Sequence, residues 1–223
     1  MKSLCLGLTL VGAIAFPVCA EEGISDDFDV NGGRSASSKL NGQSTVTGGM
    51  SWQTVGNFFI TDKGTVSLPP GGGSAVVDLG SGGKEWEVVA DLKPRGKEWI
   101  GIALGGDKLG TDWLNPETGS QIMVFLRSNG NAGIYIQGTR TALLRNKERR
   151  ISNFDESGFS HFKIIYNAEK NKLTVEANGE PLVESFDLGR FGVVLDIKKA
   201  GFHFHPAEAG EVGELDNFKI TQR

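Results

Sequence analysis

The chain has 223 residues, with 27 acidic and 23 basic side chains and a formal net charge of −4. Its lysines and arginines are scattered among acidic neighbours except at 145–150, which argues against nucleic acid as a partner. Both cysteines, Cys5 and Cys19, lie in the first twenty residues. A chain cut after Ala20 would hold no thiol for a disulfide framework, a catalytic nucleophile or a thiolate metal site.

Residues 1–20 combine Lys2, an apolar run over 4–16 and Val18-Cys19-Ala20 ahead of Glu21. That is the layout of a secretory signal, so the protein is expected to be exported, to the periplasm or beyond the cell. Lipid anchoring at Cys19 fits poorly, because Val18 is not the small residue that such sites want immediately before the cysteine. The run is too short to span a membrane and no later stretch is apolar enough. Residues 21–223 are read as one domain, since no linker or repeat divides them and about 200 residues suffice for a core.

From Glu85 onward the apolar residues recur with period 2. Trp86, Val88, Ala90 and Leu92 share a face; Ile100, Ile102 and Leu104 follow, then Ile122, Val124 and Leu126, then Ile134 and Ile136. Phe162, Ile164 and Tyr166 continue the pattern, as do Leu173, Val175 and Ala177, and finally Phe202 and Phe204. Alternation of this kind predicts half-buried strands. The 32 glycines punctuate these segments as turn residues would. Asn129-Gly130 and Asn178-Gly179 are hairpin signals, because such turns need positive φ at both central positions. Many short strands joined by glycine-rich turns predict an all-β, two-sheet antiparallel sandwich. The segment 105–120 is read as a long loop, a common seat of function.

Several phrases bear on family. Ser25-Asp26-Asp27-Phe28-Asp29, the stretch from Leu40 to Trp52, the strand ending in Asn178-Gly179 and the closing Leu215-Asp216-Asn217-Phe218-Lys219-Ile220 resemble the concanavalin A-like lectin/glucanase superfamily. They are closest to the laminin-G-like jelly-roll domains of secreted bacterial proteins. The resemblance implies two stacked curved sheets, adjacent first and last strands, and a face that in many relatives holds a glycan. Members include binding modules and hydrolases, so the fold does not choose between them.

Sugar binding needs a flat apolar surface for the ring and fixed polar groups for its hydroxyls. Trp99, Gln121, Phe125, Arg127, Tyr135, Gln137, His203 and His205 alternate with the apolar stripes and share the opposite faces of their strands. Large apolar groups occur on both faces, so periodicity leaves two readings open: a glycan-binding face, or a second core layer with Trp99, Met123 and Phe125 and a solvated polar surface. The loop residue Trp113 is a further candidate contact. His203 and His205 stand on one side of a strand, a spacing that two metal ligands can use, but a third ligand is missing from the pattern.

The run Glu214-Leu215-Asp216-Asn217-Phe218-Lys219 resembles the Glu-x-Asp-x-x-Glu strand of laminarinase-type glucanases. Lys219 stands where the second acid would be, which removes the acid/base group of a retaining mechanism. Asp216 shares parity with Phe218 and Ile220, and if that side faces inward its carboxylate needs partners. Asp26, Asp27, Asp29 and Asp216 supply hard oxygens for a structural calcium if the terminal strands pair as the resemblance implies. The function expected is a non-catalytic carbohydrate-binding or adhesion-type module. Its alternatives are a glycan-active hydrolase on the same fold and a structural envelope protein without a glycan site.

Overall fold

The computed structural model describes residues 22–29, 34–68, 71–80, 83–96, 99–110, 120–136, 148–205 and 213–223. The leader 1–20 and its cleavage site, together with Trp113 and Gln137, lie outside them. Among the described residues the chain forms β1 (Glu22–Asp26), β2 (Gln53–Val55), β3 (Phe59–Ile60), β4 (Val66–Ser67) and β5 (Gly73–Asp78). It continues through β6 (Glu85–Lys93), β7 (Trp99–Gly105), β8 (Ser120–Arg127), β9 (Asn131–Ile136) and β10 (Arg149–Arg150). Last come β11 (Ser160–Asn167), β12 (Lys172–Ala177), β13 (Glu180–Asp187), the 3-10 turn Leu188–Phe191, β14 (Lys199–Phe204) and β15 (Glu214–Gln222).

All described pairings are antiparallel and assemble two sheets. One is eight-stranded, ordered β13-β12-β11-β6-β15-β4-β3, with β1 added on β15; the other is seven-stranded, ordered β10-β9-β8-β7-β14-β5-β2. The first and last strands are adjacent, Glu22 facing Gln222 and Asp26 facing Phe218. The tight turn between β12 and β13 places Asn178 at φ 50° and Gly179 at φ 79°, the doubly positive geometry that Asn-Gly accommodates.

The alternation read from sequence is the packing code. Trp86, Val88, Ala90 and Leu92 of β6 are buried while their neighbours are partly exposed. They meet Ile100, Ile102, Leu104, Val124 and Ala200 from the other sheet in one core. At its centre Phe202 of β14 contacts Trp52 at 5.1 Å, Phe58 at 5.5 Å and Phe218 at 5.7 Å between ring centroids. Phe28, Trp52 and Phe58 reach this cluster from outside the long strands.

One face assignment is corrected. Asp216 does not share the inward side of Phe218 and Ile220. Residues 217 and 218 together oppose one residue of β6, because pairing passes from Asp216↔Asp91 to Lys219↔Val89. The inserted residue is Asn217 at φ 50°. A bulge of one residue reverses the parity of a strand. Leu215 and Phe218 are therefore fully buried, and Asp216 emerges on the outer surface of the eight-stranded sheet.

Candidate functional site

Register places five of the six candidate contact residues on the outer face of the seven-stranded sheet, in three cross-strand rows. In the first, Arg127 of β8 pairs with Trp99 of β7, and His205 follows beside Trp99, its backbone N–H donating to the Trp99 carbonyl at 3.0 Å. The second runs Gly133, Phe125, Gly101, His203, Ser74. The third runs Tyr135, Met123, Ala103, Gly201, Val76.

Glycines make the ring contacts possible. A Cβ on Gly133 would lie 2.2 Å from the Phe125 ring tip, so the ring occupies the space that a side chain at 133 would fill. A Cβ on Gly101 would crowd Trp99 at 3.2 Å and Phe125 at 3.3 Å. Trp99 then lies 5.4 Å from Phe125 and 5.1 Å from both His203 and His205.

The face divides into a buried part and an accessible part. Val76, Trp99, Ala103, Leu109 and Met123 form a second buried apolar cluster, with Phe125 and Tyr135 packed against it and partly exposed. Trp99 is 8% exposed, so it is the floor of the site, while Phe125, Tyr135, Arg127, His203 and His205 keep accessible surface. Leu109, in the turn after β7, closes one side over Val76. The sequence reading missed Leu109 and Val76 because neither belongs to the aromatic-polar pattern.

Burial pushes the His203 imidazole down to about 4, and the nearby His205 lowers it further. Its Nδ1 stands 2.9 Å from the Ser74 hydroxyl. Arg127 lies over the Phe125 ring at 5.4 Å from its centroid. Its Nε donates to both Glu148 carboxylate oxygens at 2.9 Å, a clamp between residues 21 apart in the chain that holds the guanidinium and that no local spacing announces.

The remaining candidates lie elsewhere. His161 is on the outer face of the eight-stranded sheet, its Nδ1 2.7 Å from Asp91, so the three histidines do not converge. The Asp26 carboxylate is fully buried under Trp52, Arg34 and the chain turn at Phe28. Trp52 Nε1 donates to it at 2.7 Å, the Phe28 amide at 2.9 Å, and Arg34 through both terminal nitrogens. Its lone pairs are filled from inside the protein, which does not fit a calcium ligand. Asp27 is exposed, and among the described residues no three histidine, cysteine or acidic side chains are placed to hold a metal. Asp216 is raised to about 6 by half-burial and by Asp91, Asp27 and Glu214.

No known family model matches the chain, and no curated protein does. Solved structures do. The chain is similar to an endo-1,3-beta-glucanase from Streptomyces sioyaensis, with TM-score 0.58 and 12% identity, over 95% of this chain and 99% of that one. It is similar to the carbohydrate recognition domain of Emp47p, with TM-score 0.57 and 12% identity over 90% and 95%. The seed lectin of Lotus tetragonolobus gives TM-score 0.52 and 15% identity over 82% and 96%. The protein therefore has the concanavalin A-like lectin/glucanase fold. At these identities the likeness extends to the fold and no further.

Proposed function

We propose that the protein is a non-catalytic carbohydrate-binding module, exported as residues 1–20 suggest, whose glycan lies across the outer face of the seven-stranded sheet. The observation that carries this reading is the partly exposed Phe125 ring, its tip seated on Gly133 beside a buried apolar floor, with Arg127, Tyr135, His203 and His205 around it. A ring fixed in that way offers a sugar its C–H contact at small entropic cost, and the clamped guanidinium offers planar donors. Among the described residues no helix is long and apolar enough to cross a membrane.

A hydrolase needs two carboxylates flanking one bond. Asp107 is ion-paired with Lys198 at the end of the seven-stranded sheet, and Glu214 and Asp216 lie on the other sheet. Glu148 is bound by Arg127. At the Phe125 face this favours binding over catalysis, since the carboxylates that gather round Asp216 belong to the other sheet.

Retention of the purified protein on a panel of immobilised polysaccharides tests the proposal. At least one should retain it, and Phe125→Ala should weaken that binding about fivefold or more, given that one ring contact is worth on the order of 1 kcal/mol. Retention on none, or retention indifferent to Phe125→Ala and Tyr135→Ala, would overturn it.

A further inference from the structure

At the far edge of the eight-stranded sheet the chain builds a second, smaller recess. Among the described residues β13 is an edge strand paired with β12 alone, and the pairing carries two irregularities, between Leu173 and Val175 and between Val175 and Glu176. Pairing goes from Leu173↔Phe186 to Val175↔Val183, with Ser185 at φ 46° and its amide donating to the Thr174 hydroxyl at 3.1 Å. The bulge turns Phe186 inward, where it packs against the core at the open rim of the sandwich. After Asp187 the 3-10 turn brings Phe191 back onto it. The two rings are parallel to within 4° with centroids 5.5 Å apart, and Phe191 keeps 47% of its surface exposed. Phe186 is the ring of the pair that packs on the core, and Phe191 is the outer, exposed one.

The turn is held at both ends. The Asp187 carboxylate accepts from the Gly189 amide at 3.0 Å and lies 3.5 Å from Arg190 Nε, and Gly192 ends the turn at φ 68°. Lys172, Ser185 and these groups line an open pocket of about 320 Å³. That volume suits one or two sugar rings and sits at the low end for ligand sites. Lys172 is exposed and makes no ion pair among the described residues. Two cations against one anion leave the pocket net positive.

We infer that this edge pocket is a second saccharide site, independent of the Phe125 face, and that it takes a pyranose bearing a carboxylate. The C–H face of the ring lies on Phe191, the acid reaches Lys172 and Arg190, and the Ser185 hydroxyl serves the ring hydroxyls. A strand-forming peptide is disfavoured at the same edge, because Pro181 and the bulge at Ser185 interrupt the ladder that it would need.

Trigalacturonate is the probe, with maltotriose as its neutral counterpart, titrated into the purified protein and followed by backbone amide shifts. Trigalacturonate should move the amides of 185–192, and maltotriose should bind at least fivefold more weakly. Phe191→Ala, at an exposed position, should weaken trigalacturonate at least tenfold. Lys172→Gln should abolish the preference for the acidic sugar, and Phe125→Ala should change neither. Absence of trigalacturonate binding at millimolar concentration, shifts that map elsewhere, or binding unchanged by Phe191→Ala would each overturn the inference. Shifts around Phe125 report the other face, so the edge site is read from the amides of 185–192 alone and its failure is distinguishable from failure of the Phe125 face.

Discussion

His203 is neutral at any pH at which the protein is expected to work, because its ring is desolvated between Trp99 and Ser74. Its folded value is about 4 against an ordinary 6.5. Between those two values the unfolded chain binds a proton that the folded chain refuses, so the residue costs nothing above pH 6.5 and destabilises the fold as pH falls toward 4. The difference amounts to roughly 2 kcal/mol at pH 4.5. Urea unfolding of His203→Gln at pH 7 and pH 4.5 should therefore show a smaller loss of stability on acidification than the parent, by about that amount. Equal losses in both would mean that the imidazole is solvated. Asp26 makes a complementary point. Its role as a filled, buried carboxylate depends on Arg34 and Trp52, eight and 26 residues away, and nothing in the spacing of these residues announces the pairing.

At the level of the strand, β15 shows where reading alternation succeeds and where it fails. Leu215 and the pair Phe218 and Ile220 are all buried, but on opposite parities, and only the bulge at Asn217 reconciles them. A single asparagine at φ 50° carries no sequence signal of its own beyond tolerance of that conformation. Asp216 consequently stands outside, half-buried beside Asp91, Asp27 and Glu214 and raised to about 6. The sign runs opposite to that of His203. The folded protein keeps a proton that the unfolded chain releases above about 3.8, so this carboxylate lowers stability as pH rises through 4 to 6 and the cost persists above. Asp216→Asn should raise the unfolding free energy at pH 8 by up to about 1 kcal/mol after solvent screening, and leave it unchanged at pH 3.5. A variant less stable at pH 8 would show that the carboxylate is held by partners and not strained by neighbours.

The strands of the long middle segment were legible because one face of each is continuously apolar, as in β6 and β11. The outer face of the seven-stranded sheet was ambiguous for a physical reason: Leu109 and the turn after β7 cover part of it, so Trp99, Ala103 and Met123 are buried on the side away from the main core. Phe28, Trp52 and Phe58 were invisible to a periodicity argument because they sit in irregular chain, yet they complete the centre of the sandwich.

That centre decides how the whole molecule unfolds. Phe202 projects from β14, in the middle of the seven-stranded sheet, and touches Phe218 of the opposite sheet along with Phe28, Trp52 and Phe58. Since one side chain joins both sheets and the segment before β4, its loss cannot be confined to one layer. Phe202→Ala removes a fully buried ring in contact with five other aromatic rings, so it should cost about 3–5 kcal/mol. The variant and the parent should each unfold in a single step, with far-ultraviolet and near-ultraviolet circular dichroism changing together, as expected of one cooperative unit. Val194→Ser, at a position 87% exposed, serves as the control and should leave the midpoint within about 0.5 kcal/mol. Two separated transitions in the parent would mean that the sheets do not depend on each other, and a Phe202→Ala cost below about 1 kcal/mol would mean that the aromatic cluster does not join them.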